Sequence, residues 1–243
     1  MAFKPTYKPF GKRAILIEWK ASIDLDVLKD IVFFKERIIT KKEDVITDLI
    51  VGYNSLTIKY KNEFRDFLQE VEILKSIYKT TEKTTSQHNF IWEIPVCYDA
   101  KLGVDLEELS SKSNLSIQEI IKLHSERIYT VFFIGFLPGF LYLGGLNEKI
   151  FFDRKSNPRL NVDKGSIAIG GEQTGIYPSN SPGGWNILGK TPIDFFNIKN
   201  KRPCFANAGD KIKFKSISFK EFSEIEKEVA NNNYVIYKTQ LHD

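Results

Sequence analysis

Apolar residues along the first third of the chain change period in an ordered way. Ala14 to Trp19 (AILIEW) reads as a strand, and Leu25 to Ile39 then carries Leu25, Leu28, Ile31, Val32 and Ile38 at helical spacing. Val45 to Val51 returns to strand character, Tyr53-Asn54-Ser55 supplies a turn, and Leu56 to Tyr60 makes another strand. A second amphipathic helix places Phe64, Phe67, Leu68, Val71, Leu74 and Ile77 on one face, and Phe90 to Val96 ends the series as a strand. This order, βαββαβ, predicts a ferredoxin-like split unit. The polar, aperiodic stretch Lys79 to Gln87 predicts a linker, which sets two domains at 1–87 and 88–243.

Two short helices are expected to open the second domain. Asp105 with Glu108, and Ser116 with Glu119, each fit a capping box, flanked by Val104 and Leu109 and by Leu115 and Ile120 at hydrophobic-staple positions. The second of these helices is expected to run to about His124. Short strands follow at Ile128 to Ile134, Ser166 to Ile169, Trp185 to Leu188 and Lys211 to Phe214, which predicts a mostly β barrel or sandwich. A last helix, Lys220 to Val229, and a strand-like piece, Tyr234 to Tyr237, close the chain.

Of the 15 glycines, 11 fall between Gly135 and Gly189. Two causes fit: tight turns of a barrel, or a cradle in which backbone amides reach a ligand. Gly165 to Thr191 holds only two charged side chains, Glu172 and Lys190, among Gln173, Thr174, Tyr177, Ser179, Asn180, Ser181 and Trp185. Neutral hydrogen-bonding groups beside aromatics suit a small polar amide or carboxylate, and equally an exposed loop.

Gly184 to Thr191 (GWNILGKT) matches the phosphate-loop pattern residue for residue, but its context opposes that reading. Pro192 disfavours helical geometry at Thr191, and Trp185, Ile187 and Leu188 have strand character. His124 is the one histidine placed for chemistry, since His88 falls in the linker and His242 in the tail; near a helix C-terminus its imidazolium also suits the helix dipole. Arg159, after Pro158, suits a bidentate carboxylate clamp or a surface position. No GxSxG, HExxH, paired CxxC or dinucleotide-binding glycine pattern occurs, so nothing supports a self-contained hydrolase, metalloenzyme or dehydrogenase.

Composition narrows the class. Hydrophobic residues at 42% and charged residues at 27% suit an ordinary globular protein. The net charge of +4 comes from scattered side chains without a basic block, so nucleic acid is not expected as a partner. Cys97 and Cys204 lie far apart and form no disulfide framework, which points to a cytoplasmic location. The most apolar stretch, Val131 to Leu146, is broken by Pro138 and glycines, so no membrane segment is expected, and the N-terminus lacks a signal-peptide core.

The run His124-Ser125 … Tyr129, then Phe133-Ile134-Gly135-Phe136-Leu137-Pro138-Gly139-Phe140-Leu141-Tyr142-Leu143, resembles the signature of the KipI family, which includes the B component of 5-oxoprolinase and is also called the allophanate hydrolase subunit one domain. Pro158-Arg159, Gly165 to Ile169, Gln173 to Pro178 and Ser181 to Trp185 match in order, as does Tyr53 to Leu56 in the first domain. The resemblance implies a ferredoxin-like N-terminal domain and a cyclophilin-like β-barrel C-terminal domain. It implies one part of an ATP-dependent 5-oxoprolinase that opens 5-oxo-L-proline to L-glutamate with two partner subunits, the C (KipA-like) and A components. It also implies substrate contacts by Phe136, Pro138, Gly139, Phe140, Gln173, Thr174, Tyr177, Pro182, Gly183, Gly184, Trp185 and Lys190, with His124 and Arg159 orienting groups or stabilising charge. Relatives of this type include inhibitors of a sporulation histidine kinase and carboxyltransferase parts of urea carboxylase. The chain departs from the pattern at Lys190, where the family usually has arginine, and at Asp163, often proline.

Overall fold

Alternation of buried and less buried side chains, clearest along Ser55–Tyr60, builds the first sheet. In the computed structural model, which describes residues 3–80 and 89–241, the chain divides into two units, Met1–Gln87 and His88–Asp243. The first contains β1 (Thr6–Pro9), β2 (Ala14–Glu18), α1 (Leu25–Lys42), β3 (Ile46–Val51), β4 (Ser55–Tyr60) and α2 (Phe67–Lys79). All pairings are antiparallel in the order β1-β2-β4-β3. Ile15, Ile17, Leu56 and Ile58 share the inner face, on the side of Val27, Leu28, Ile31, Phe34 and Ile38 of α1 and Val71, Leu74 and Ile77 of α2. Asp30 accepts from the Trp19 indole at 2.7 Å and from the Tyr78 hydroxyl. Asp66 caps α2 by accepting from the Leu68 and Gln69 amides, so this helix starts after Phe64.

The expected βαββαβ order does not survive at its ends. The strand at Phe90 belongs to the second unit, and β1, which carries no strand signal in the sequence, completes the first sheet. The cause is burial: FIWEIPVC is almost continuously apolar, as suits a strand enclosed on both faces and not a half-exposed one. Of the expected linker, Lys79 ends α2 and Thr80 follows it; residues 81–87 lie outside the described residues, as do His88 and His242.

Among the described residues, the second unit is a closed seven-stranded barrel with three α-helices. It comprises β5 (Phe90–Cys97), α3 (Leu106–Ser113), α4 (Ile117–Ser125), β6 (Ile128–Ile134), β7 (Leu141–Gly144), β8 (Arg159–Val162), β9 (Ser166–Gly170), β10 (Gln173–Ile176), β11 (Ser181–Gly183), β12 (Asn186–Lys190), β13 (Lys211–Ile217), α5 (Phe219–Ala230) and β14 (Lys238–Gln240). The barrel order is β12-β9-β10-β7-β6-β13-β5, closed by Lys190 against Cys97, with β14 added on β5. β5 and β13 are parallel; the remaining pairs are antiparallel. Val131, Leu141, Leu143, Ile167, Ile169, Ile176, Leu188 and Phe214 fill the interior. β8 and β11 form a separate two-stranded ribbon.

Two expectations fail in this unit. Tyr234 to Tyr237 is not a strand; the strand follows it at Lys238–Gln240. The capping box at Ser116 is present, but Asp105 makes no side-chain cap, and Val104 is 55% exposed and so forms no buried staple. Among the described residues no helix is long and apolar enough to cross a membrane.

Candidate functional site

Directly opposed residues of antiparallel strands point to one face of the sheet, so register alone defines the outer face of the barrel around β10. Phe133 opposes Tyr142, Tyr142 opposes Gly175, Gly175 opposes Ala168, and Gln173 opposes Gly170. On this face lies a cap of aromatic rings. Phe140 meets Trp185 at 5.6 Å and 89°, and meets Tyr177 at 5.0 Å and 86°; Tyr142 stacks on Phe133 at 4.1 Å and 10°. Glycine makes the cap possible. A Cβ at Gly170 would stand 2.8 Å from the Trp185 indole, and one at Gly175 would stand 2.9 Å from Trp185 and from Phe140. Gly170 and Gly175 are therefore explained by close packing of Trp185, a cause distinct from turns and from a ligand cradle. The run from Gln173 to Tyr177 is also buried, not an exposed loop.

The loop between β6 and β7 supplies Phe136, Pro138, Gly139 and Phe140. The Leu137 amide donates to the Gly135 carbonyl at 2.8 Å across Phe136, whose φ of +66° makes this a γ-turn of the strained hand. Phe136 is 62% exposed and stands edge-on to Phe140 at 5.6 Å, so the loop presents one ring to solvent and buries the next. Pro182 and Gly183 lie in β11, where a Cβ on Gly183 would strike the Tyr177 hydroxyl, and the Gly184 carbonyl accepts from the Lys155 amide at 2.7 Å.

Gln173 is 7% exposed and its Nε2 has no hydrogen-bond partner, and the Ser181 hydroxyl is likewise buried and unpartnered. Unsatisfied buried donors cost on the order of 1–3 kcal/mol each. Arg154, which no sequence motif singles out, lies with its guanidinium 5.5 Å from the Trp185 ring centre. A signal for it exists all the same: Arg154, Lys155 and Arg159 put three cations within one short segment before β8 ends.

His124 and Thr174 lie elsewhere, inside the barrel. His124 is 0% exposed and stacks on Phe214 at 4.8 Å. Thr174 Oγ1 donates to the Ala168 carbonyl at 3.0 Å, so it must accept from His124 Nε2 at 2.9 Å; Nδ1 is then the acceptor for the Tyr98 hydroxyl at 2.8 Å. Burial pulls the imidazole from 6.5 down to about 3, so the ring is neutral and does not answer the helix dipole as a cation. Both ring nitrogens are occupied by partners within the protein.

Arg159 and Lys190 meet on a third feature, a cleft beside the β8–β11 ribbon. The carboxylate of Asp105, 2% exposed, is committed here instead of capping α3. It accepts from Arg159 at 2.5 Å, from Lys155 at 3.0 Å and from the Ile187 amide at 2.7 Å, at the bulge where β12 breaks register with β9. The Asp105 amide returns a bond to the Ile187 carbonyl. Of this cluster the sequence points only to Arg159, because the partners lie far apart along the chain.

The phosphate-loop pattern of the sequence does not form a phosphate cradle in the fold. Gly184 to Thr191 is mainly strand β12, with the Ile187 amide committed to Asp105 and the Thr191 amide to the Gly165 carbonyl, so no amide cradle is open to phosphates. Among the described residues no cluster of three or more histidine, cysteine or acidic side chains is arranged to hold a metal ion.

The chain matches the family described as carboxyltransferase domain, subdomain C and D, over residues 5–206. Curated relatives named as the B component of 5-oxoprolinase are similar to it. The Bacillus subtilis protein is 44% identical over 57% of this chain and 58% of its own length. That of Haemophilus influenzae is 40% identical over 72% and 81%, and that of Escherichia coli O157:H7 is 34% identical over 84% and 92%. Among solved structures, TTHA0988 superposes with a TM-score of 0.74 at 27% identity, covering 85% of this chain and 40% of that one. The Kluyveromyces lactis urea carboxylase superposes at 0.80 over 99% of this chain and 24% of its own, with 16% identity, which shows a shared fold. Lys190 Nζ stands 3.4 Å from Asp163. The chain belongs to the carboxyltransferase subdomain C and D family, alongside the B components of bacterial 5-oxoprolinases.

Proposed function

We propose that this chain is the B component of an ATP-dependent 5-oxoprolinase that opens 5-oxo-L-proline to L-glutamate together with two partner subunits, the C and A components. One observation carries the reading at the site: an unpartnered carboxamide, Gln173, on the same face as an aromatic cap with Arg154 above it. A lactam presents an N–H and a C=O on one edge, and a primary carboxamide offers the complementary acceptor and donor. The relatives' shared name supports the same activity.

The state of this chain's own candidate groups supports a role for partners. His124 is buried and neutral, and burial raises the thiols of both Cys97 and Cys204, so neither is a ready thiolate. A lactam amide is a poor electrophile whose carbonyl must be activated, and we assign ATP and that activation to the partner subunits. Location in the cytoplasm belongs to the same proposal.

Co-expression with the partner subunits, followed by an assay of glutamate release from 5-oxo-L-proline and ATP, tests this. Turnover is expected in the complex and not in the chain alone. Gln173→Leu, with folding verified, is expected to lower kcat/KM about 10- to 100-fold, the cost of an unmatched polar edge. No turnover by the complete complex, with inhibition of histidine-kinase autophosphorylation by the chain alone, would overturn the reading in favour of a KipI-type inhibitor. The carboxyltransferase family match supports a second reading, carboxyl transfer in a urea-carboxylase-like assembly, which predicts activity only with a biotin-bearing partner.

A further inference from the structure

The sheet of the first unit has two edges, and they are not protected alike. β1 closes one edge with Lys8 and Pro9, residue types that discourage further pairing. β3 forms the other as ITDLIV, with neither lysine nor proline, and its Ile50 and the adjoining Val45 are exposed.

The Gly52 amide donates to the Ser55 carbonyl at 2.8 Å and closes the β3–β4 hairpin. Bonded and non-bonded pairs alternate along an antiparallel ladder, so Ile50 bonds to Thr57 while Leu49 and Val51 turn their amides and carbonyls to the open edge. The Leu49 amide donates to the carboxylate of its own neighbour, Asp48, at 2.9 Å. The Leu49 carbonyl and both backbone groups of Val51 are offered to a further strand.

Alongside this edge lies a groove of about 390 Å³, lined by Lys35 and Ile39 of α1 and by Ile46, Thr47, Asp48 and Leu49. Burial pushes the Lys35 amine below the usual lysine range, and the charges of Asp48 and Glu36 offset this only in part, with no hydrogen-bonded acid to hold it. A carboxylate brought from outside would complete this ammonium. Lys35 and Ile39 stand one helical turn apart, about 6 Å along α1. Alternate side chains of a strand repeat at about 6.6 Å, so an added strand can set an acid against Lys35 and an apolar side chain against Ile39.

We propose that the β3 edge is a docking site for an extended segment of a partner protein, one that carries a carboxylate two positions from an apolar side chain. Backbone pairing supplies affinity, and Lys35 with Ile39 supplies specificity. This assignment does not rest on the proposed activity, because binding alone tests it.

Titration of the full chain with a synthetic strand, acetyl-Thr-Val-Thr-Glu-Thr-Ile-Thr-amide, followed by amide chemical shifts, is the experiment. Binding is expected below about 1 mM, with the shifts concentrated at Leu49 and Val51. The same peptide with lysine in place of glutamate is expected to bind about tenfold more weakly, and one N-methylated on its edge-facing amides not at all. Lys35→Gln is expected to abolish the preference for glutamate over lysine. Asp48→Ala, which uncovers the Leu49 amide, is expected to tighten binding about threefold, a gain that damage to the fold does not mimic. No shift at Leu49 and Val51 up to about 5 mM peptide, equal binding of the glutamate and lysine peptides, or an unchanged preference in Lys35→Gln overturns the proposal. Concentration-dependent dimerisation that Ile50→Lys abolishes also overturns it, in favour of a second copy of this chain at the edge.

Discussion

His124 is the residue whose chemistry depends most on where the chain puts it. Its place on α4 is legible in the sequence: Ile120 and His124 are four apart, so both fall on the face that turns into the barrel. Its partners are not, because Tyr98 and Thr174 come from segments 26 and 50 residues away. The folded ring has a pKa of about 3 against 6.5 for the ordinary group, so below pH 6.5 the unfolded chain binds a proton that the folded one refuses. The stability this residue contributes is full above that pH and drains away as pH falls toward 3. At pH 5 the loss amounts to about 2 kcal/mol, at 1.4 kcal/mol per pH unit. Urea denaturation of the wild type at pH 8 and pH 5 should show it, and His124→Gln should flatten the difference. An equal pH dependence in the variant would place the titrating group elsewhere.

Helices and long apolar strands are legible because their signals are local, as at α1, α5 and the capping box of α4. Elements without a sequence signal, among them β1, β8, β10 and β11, are strands of three or four residues that contain glycine, proline or polar side chains. Their strand conformation comes from neighbours and not from propensity, Gly175 being tolerated because Trp185 lies over it. Asp105 illustrates the same limit: the local pattern says cap, and the tertiary structure uses the carboxylate to hold the bulge of β12. The two roles differ in magnitude. Ser116→Ala, which removes a true cap, should cost about 1 kcal/mol. Asp105→Ala, which strands Arg159, Lys155 and the Ile187 amide, should cost about 3–5 kcal/mol. Chemical denaturation of both variants checks this, and similar losses for the two would return Asp105 to an ordinary helix start.

Each of the two units has its own buried centre, the first around Ile15, Ile58 and Phe34, the second around Val131, Ile169 and Phe214. Residues 88–243 expressed alone are therefore expected to unfold in one cooperative transition, followed by circular dichroism and tryptophan fluorescence. A gradual, probe-dependent loss of signal would show that the second unit depends on the first. The candidate site is only partly legible in the sequence, since its residues divide between the barrel interior, the aromatic cap and the cleft. Sequence order carries no information about which side of a barrel wall a residue faces when its strands are too short to show alternation.

β5 is the first barrel strand to leave the ribosome, and its three partners, β12, β13 and β14, are the last. Until synthesis passes Ile217 the sequence FIWEIPVC has no partner along its edges beyond the single pairing of Cys97 with Lys190. A nascent chain in that condition exposes an apolar, aggregation-prone ribbon until β13 emerges. Closure by contacts so distant in sequence places refolding in the millisecond-to-second range typical of high contact order.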